Sequence, residues 1–345
     1  MDGWKWRTSQ HYFHFVSSSL SIILNLLLIC LVKSRSPRTM GTYKYLLIGV
    51  SVFEIFYSSI EIIVSPIVHS FHTVVVVMTI VKDTWIPKSV MLILTATYCG
   101  SFGCFLAFFG ILFIYRYYVI SGLVIRITLV SHLLSNSFRN PNIKYFDSWN
   151  MIFWIIITLL CGSIWGAIGF FTFSQNSEID EFIRQDLYTE LNLFPEDITY
   201  LAPHFYLKDK NGEKMLNWKS IAGMNGVSLI VGVTCFFIIR YGLKTYKCIK
   251  HFSTIQKFSD RSKMIQKQLF YALVIQSSIP FLFLQLPLTI LFICGVLDIH
   301  LGQLGGIDTF SISLFPVFDP LPTIFVIRAY RVAVLGKIHW LLYSM

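Results

Sequence analysis

Charge is scarce in this chain. Asp, Glu, Lys and Arg make up 13% of its 345 residues, while 55% are hydrophobic and 16% aromatic. A soluble domain carries about a quarter charged residues, so the composition excludes an ordinary soluble fold. Paired-cysteine signatures are also missing. The seven cysteines (Cys30, Cys99, Cys104, Cys161, Cys235, Cys248 and Cys294) include no CxxC, and Cys99 and Cys104 have no histidine at zinc-knuckle spacing. They read as small apolar packing residues, not as a disulfide or metal framework. No Asn-x-Ser/Thr acceptor occurs, which leaves no basis for N-glycosylation. HExxH and GxSxG are absent, which sets aside an intramembrane enzyme; neither cofactor nor metal is expected. The segment Met1–His11 lacks a charged, then apolar, then small-residue order. The first apolar run is therefore expected to act as an uncleaved anchor.

Apolar length is what the chain has instead. Seven long runs cover about Phe13–Val32, Tyr45–Phe71, Val90–Ile120, Trp149–Phe173, Ile221–Tyr241, Leu269–Leu297 and Ile307–Ile327. A helix needs about 20 such residues to cross a bilayer, and only helices or closed barrels satisfy the backbone there. The runs are too continuous for barrel strands, which alternate over about 10 residues. The expected fold is all-α, a single seven-transmembrane helix bundle spanning 1–345.

The net charge of +10 does not point to nucleic acid, because the basic residues flank the apolar runs, where membrane lipid is the partner. Nineteen basic residues fall in the first, third and fifth connections and the tail, against eight on the other side. That bias places the first set in the cytoplasm and the amino terminus outside. The connection 174–218 is then extracellular, long and acidic, and reads equally as a small folded lid or a solvated loop. The connection 242–268 is a basic cytoplasmic loop with Asp260 as its only acid. Its Lys263 and Lys267 share one face of any helical extension, beside Lys257. Headgroup anchoring and docking of an acidic cytosolic partner both follow from such a run.

Polar groups inside apolar runs are costly and mark function by default. They are Asn25 in the first run, Glu54 and Glu61 in the second, Gln276 and Gln285 in the sixth and Asp319 in the seventh. Glu54 and Asp319 are read either as protonation or cation-binding switches or as hydrogen-bonded ties between helices. Arg116, flanked by Tyr115 and Tyr117, is a second switch candidate, or it snorkels from the bilayer edge. Pro66, Pro280, Pro287, Pro316, Pro320 and Pro322 interrupt three runs, and each removes a backbone donor. Thr95, Tyr98 and Phe102 on the third run, Met224 and Ser228 on the fifth, Phe283, Gln285 and Thr289 on the sixth and Phe310 and Leu314 on the seventh lie in the outer half. Together they suit a mostly apolar cavity for a small volatile or lipophilic ligand; singly, each also suits plain helix packing.

Four segments carry a family resemblance. They are Gly41-Thr42-Tyr43-Lys44-Tyr45-Leu46, Tyr115-Arg116-Tyr117, the stretch Ser259-Asp260-Arg261-Ser262 through Gln266-Lys267-Gln268-Leu269-Phe270 to Ala272-Leu273-Val274, and Phe318-Asp319-Pro320-Leu321 with Ile327-Arg328-Ala329-Tyr330-Arg331. On these the chain resembles the nematode seven-transmembrane chemoreceptors of the Str family (serpentine receptor class R), the group that includes the diacetyl odorant receptor. The resemblance implies a G-protein-coupled receptor in the plasma membrane of chemosensory neurons, in their cilia. It implies an odorant bound from outside and a heterotrimeric G protein activated inside, with Arg116, Asp319 and Pro320 matching family elements. Rhodopsin-like acidic-Arg-Tyr and Asn-Pro-x-x-Tyr signals are absent. The third connection, Ser121–Ser148, is longer than the resemblance implies. Its segment Leu123–Arg139 reads either as an amphipathic cytoplasmic helix or as translated intron. An odorant-gated channel or a transporter is the alternative class. Two repeated halves would mark a transporter, and polar residues lining several spans would mark a pore.

Overall fold

The computed structural model describes residues 3–37, 40–82, 84–130, 146, 148–208, 214–255, 258–299 and 301–343. Among the described residues, seven helical segments are long and apolar enough to cross a bilayer. The first four are α1 (Gly3–Arg35), α2 (Tyr43–Val64), α3 (Lys88–Val130) and α4 (Ser148–Phe173). A short helix, α5 (Ser177–Leu191), precedes the fifth span, α6 (Trp218–Thr254). The sixth runs through α7 (Asp260–Pro280), a π-helical turn (Phe281–Gln285) and α8 (Leu286–Val296). The seventh is α9 (Ile307–Phe318) with α10 (Pro320–Val326), and α11 (Arg328–Tyr343) follows it. The third helix is the hub: 78% of its most apolar stretch is buried, against 11% in the fourth span and 6% in the fifth.

The second apolar run is not helical to Phe71. Helix α2 stops at Val64, where Ser65 turns left-handed (φ 43°) and donates its N–H to the Glu61 carbonyl at 2.8 Å. Pro66 cannot continue the helix and disfavours helical backbone before it. The chain then forms β1 (Ile67–Phe71), which pairs antiparallel with β2 (Val74–Ile80) from Phe71↔Val74 to Ile67↔Met78. The valines Val74–Val77 suit a strand because β-branched side chains pack well on a pleated surface. Strand β3 (Ile198–Leu201) adds to β2, and β4 (Tyr206–Lys208) pairs with β5 (Lys214–Leu216).

The acidic connection folds as a lid. Asn176 caps α5 by accepting the Ile179 N–H at 2.9 Å, and Asn192 closes it in the left-handed region. Ile179, Ile183, Leu187 and Leu191 recur every fourth residue and form the buried face. They pack with Phe71, Val74, Val76 and Met78 of the sheet.

The basic connection is largely helix rather than loop. Helix α6 runs on to Thr254, and α7 starts at Asp260 behind a Ser259 cap. The third helix likewise continues past Ile120 to Val130, taking in Leu123–Val130; residues 131–139 lie outside the described residues.

Two packing devices hold the bundle. A Cβ on Gly100 would sit 2.6 Å from the Gly162 carbonyl oxygen, and one on Gly166 would sit 3.0 Å from that of Ala96. Bare backbone here lets α3 and α4 approach closely, as small residues do between membrane helices. The second device answers the prolines. Pro287 has no N–H for the Phe283 carbonyl, and Ser311 donates its hydroxyl there instead at 2.7 Å. Pro320 likewise cannot serve the Pro316 carbonyl, which accepts the Ser21 hydroxyl at 3.0 Å. Each serine comes from a neighbouring helix, so the broken backbone is satisfied without water.

Candidate functional site

The lid rests directly on an aromatic floor. Val68, Val75 and Phe205 of the lid share one apolar cluster with Tyr57, Tyr98, Phe102, Phe105 and Phe315 of the bundle. Tyr57 and Tyr98 stack at 5.1 Å and share a hydroxyl hydrogen bond of 3.0 Å. Thr95 donates to the Met91 carbonyl (2.9 Å) and meets the Thr79 hydroxyl of β2 at 3.1 Å. The Thr309 hydroxyl accepts the Val68 N–H at 2.9 Å. Thr95, Tyr98 and Phe102 are therefore buried in the floor and its lid tie. They do not border the groove that holds Ser228 and Gln285. Phe310 lies apart from them, edge-on to Trp6 (5.4 Å) and Phe13 (5.0 Å) of α1.

Ser228 and Gln285 do come together. A groove of about 550 Å³ opens between the fifth and sixth spans, with Trp165, Met224, Thr289 and the lid residue Phe205 on its walls. Thr289 donates to the Gln285 carbonyl (2.7 Å), and the Gln285 amide reaches the Thr289 hydroxyl at 3.4 Å. Gln285 ends the π-helical turn, a local widening that often accompanies functional sites. It also lines a second groove of about 590 Å³, which continues between the same helices past Val231, Cys235 and Tyr271. Phe283 faces away and stacks on Phe318 at 5.1 Å.

A polar ladder crosses the bundle beneath the lid. Glu61 accepts from Ser18 (2.8 Å) and contacts His14 (3.1 Å), whose Nδ1 also meets Ser313 at 2.6 Å. Ser58 donates to Ser21 (2.8 Å), and Asn25 to the Ser21 carbonyl (3.1 Å). Deeper, Glu54 lies against Asp319 and Asn25, all fully buried. Gln276 donates to Asp319 at 2.5 Å and accepts from Thr323 at 3.2 Å. Sequence reasoning named Asn25, Glu54, Glu61, Gln276 and Asp319 but missed His14, Ser18, Ser21 and Ser313. The first three, with Asn25, recur every three or four residues on one helical face. That spacing was the available signal.

At the opposite end Arg116 does not snorkel. It is 1% exposed, and its guanidinium lies over the Tyr43 ring at 4.5 Å. Tyr43 in turn stacks on Tyr115 at 5.9 Å. Pro320 is buried at the start of α10. Lys267 is exposed and Lys263 half-buried on α7, while Lys257 lies outside the described residues. No cluster of His, Cys, Asp and Glu among the described residues suits a metal ion.

Seven membrane helices, a folded cap at one end and basic helix extensions at the other define a multi-pass membrane protein built as a seven-transmembrane receptor. The chain matches the model for serpentine type 7TM GPCR chemoreceptor Str over residues 10–129 and 134–335. It belongs to that family, whose members are receptors and not enzymes. It is 31% identical to the Caenorhabditis elegans G-protein coupled receptor str-217 over 324 residues, covering 92% of this chain and 86% of that one. It is 28% identical to serpentine receptor class r-10 of Caenorhabditis elegans over 332 residues, covering 96% and 91%. The Caenorhabditis briggsae protein of that name gives the same identity and coverage.

Proposed function

We propose that this chain is a plasma-membrane chemosensory receptor of a sensory-neuron cilium. In this reading a small volatile or lipophilic odorant sits in the outer fifth–sixth groove, and the basic end activates a heterotrimeric G protein. The observation that carries it is the placement of Ser228, Gln285 and Thr289, polar groups in an otherwise apolar wall beside a π-helical turn. Such a wall favours an apolar ligand with one or two hydrogen-bonding atoms. Because the lid packs on the aromatic floor, the bilayer-facing side of the groove is the route in.

The ligand acts by preferring one of two bundle packings, and the shift cannot exceed that differential affinity. The sixth span is the moving part. Its Pro280, π-helical turn and Pro287 weaken the helix beside the groove. Its Gln276 joins Asp319, and through it Glu54, so motion of the sixth span reaches the second and seventh. Two carboxyl groups side by side in a water-free interior need a proton or a cation between them, which makes this node the switch. Outward movement of α7 then uncovers Arg116 beside Lys263 and Lys267. The channel reading has less support, because Glu61 and Asp319 are engaged by neighbouring helices instead of lining a pore.

A panel of volatile compounds applied to receptor-expressing cells, read by second messenger, tests this. An active odorant should lose about tenfold in potency on Ser228→Ala with Gln285→Leu at equal surface expression. Unchanged potency would remove the groove from the account. Ligand-evoked current in G-protein-free liposomes would replace the receptor with a channel.

A further inference from the structure

The inner groove between the fifth and sixth spans, of about 590 Å³, is walled mostly by apolar side chains. Two serines of its wall, Ser277 and Ser278, donate their hydroxyls within their own helix, to the carbonyls of Val274 (3.0 Å) and Ile275 (2.7 Å). Along α6 the lining runs from Val231 to Tyr246, which at 1.5 Å per residue is about 22 Å of helix. The hydrocarbon of one leaflet is about 15 Å deep. The groove is therefore long enough to run through the whole leaflet at the basic end of the bundle. Leu243, Tyr246, Tyr271 and Phe281 on its walls are exposed, so it opens sideways towards lipid.

The mouth of this groove is positive. Lys267 precedes Phe270, Tyr271 and Val274 by three, four and seven residues, which puts it on the groove face of α7. On α6, Lys250 follows Tyr246 by four residues and Leu243 by seven, and Lys247 follows Leu243 by four. All three lysines are exposed. Lys244 is taken up on the side of the third helix, over the Tyr117 ring at 5.4 Å and the Tyr241 ring at 5.6 Å. Asp260 is the only acid of the connection 242–268, so the charge at the mouth is uncompensated within it. A second copy of this chain is a poor occupant, because two-fold pairing through the groove would bring two such mouths together and like charges repel.

We propose that the inner fifth–sixth groove is a site for one anionic glycerophospholipid, its acyl chain laid along α6 and α7 and its phosphate head held by Lys250 and Lys267, with Lys247 beside them. The apolar wall takes the chain, and lysines lay their hydrocarbon stems along such a wall while keeping the ammonium at headgroup depth. Each lysine at that depth favours an anionic over a zwitterionic head by about fivefold. The site does not depend on the odorant or G-protein assignments. Gln285 borders this groove and the outer one alike, so the end of the acyl chain would lie at the inner edge of the odorant groove. Leaflet composition would then bear on the response to odorant.

Native mass spectrometry of the full-length receptor, delipidated in detergent and offered equal amounts of phosphatidylserine and phosphatidylcholine with identical acyl chains, tests the assignment. The first lipid bound should be phosphatidylserine, preferred by at least about tenfold. Lys247→Gln with Lys250→Gln should cut that preference by about fivefold or more. Val274→Trp leaves every lysine in place and fills the groove. It should weaken binding of the first phosphatidylserine by about tenfold, equivalent to displacing about two buried methylenes. Both variants change only exposed side chains, so neither threatens the core. Equal binding of the two lipids, or a preference unmoved by the double glutamine variant, overturns the proposal. Undiminished binding by Val274→Trp would leave only diffuse surface attraction and overturns it as well. A receptor dimer that Val274→Trp dissolves would give the groove to a second copy instead.

Discussion

Ser311→Ala isolates the bond that lets the sixth span tolerate a proline. The Ser311 hydroxyl donates to the Phe283 carbonyl at 2.7 Å, the acceptor that Pro287 cannot serve. Removing the hydroxyl leaves a backbone acceptor without a partner in a helix facing lipid. The expected cost is about 1 kcal/mol, near the middle of measured interhelical hydrogen bonds in membranes, with about 1.7 kcal/mol as the upper end. The control is Pro287→Ala, which restores an N–H four residues after Phe283. In that background Ser311→Ala should cost only a few tenths of a kcal/mol, because the carbonyl is then served from within its own helix. A double-mutant cycle measured by reversible denaturant titration in mixed micelles reads the difference as a coupling energy. Equal cost in the two backgrounds would refute the reasoning, and the serine would be merely a packing residue.

Three further outcomes follow from other parts of the molecule. Charge reversal at Lys263 and Lys267 should weaken G-protein nucleotide exchange while leaving odorant affinity of the uncoupled receptor unchanged; unaltered exchange would take the exposed face of α7 out of the coupling surface. The lid should lose stability in mild acid. Its folded His204 resists protonation down to about pH 4, whereas an unfolded histidine charges near 6.5. Stability is thus fully present above about pH 6.5 and falls by on the order of 3 kcal/mol as the pH drops towards 4. Glu178, Glu181, His72, Lys214 and Asp298 line a lid cavity beside His204, so hydrogen exchange of β3 in native protein and in His204→Phe isolates the contribution of this ring. Gly100→Val should destabilise the α3–α4 contact by about 1–3 kcal/mol, because the nearest backbone oxygen would lie 2.6 Å from the new Cβ. Wild-type melting of that variant would mean the helices are further apart than described.

The bundle was legible in the sequence because apolar length and charge at run ends are local properties, and seven crossings follow from them directly. The second run misled by its hydrophobicity. Ile67–Phe71 continues the apolar run of the second span, and only Pro66 separates that span from this buried strand, which pairs with Val74–Ile80 and, through it, joins Ile198–Leu201, far along the chain. Hydropathy does not distinguish lipid from a protein core. Glu54 and Asp319 stood out as isolated charges in apolar runs, yet their contact depends on how helices two and seven pack. Thr95, Tyr98 and Phe102 had the right residue types for a ligand wall. The fold instead places them beneath a lid whose strands no periodicity in the third helix could reveal. His14 and the serines of α1 went unnoticed because single hydroxyls are common in membrane helices; their shared face, not their identity, carried the information.

Every functional step rests on which end of the bundle faces the cell interior. Tags placed before Gly3 and after Tyr343, probed in intact and permeabilised cells, measure this directly. The account predicts that the first tag is labelled in intact cells and the second only after permeabilisation. Both tags in one compartment, or the amino-terminal tag inside, would contradict it.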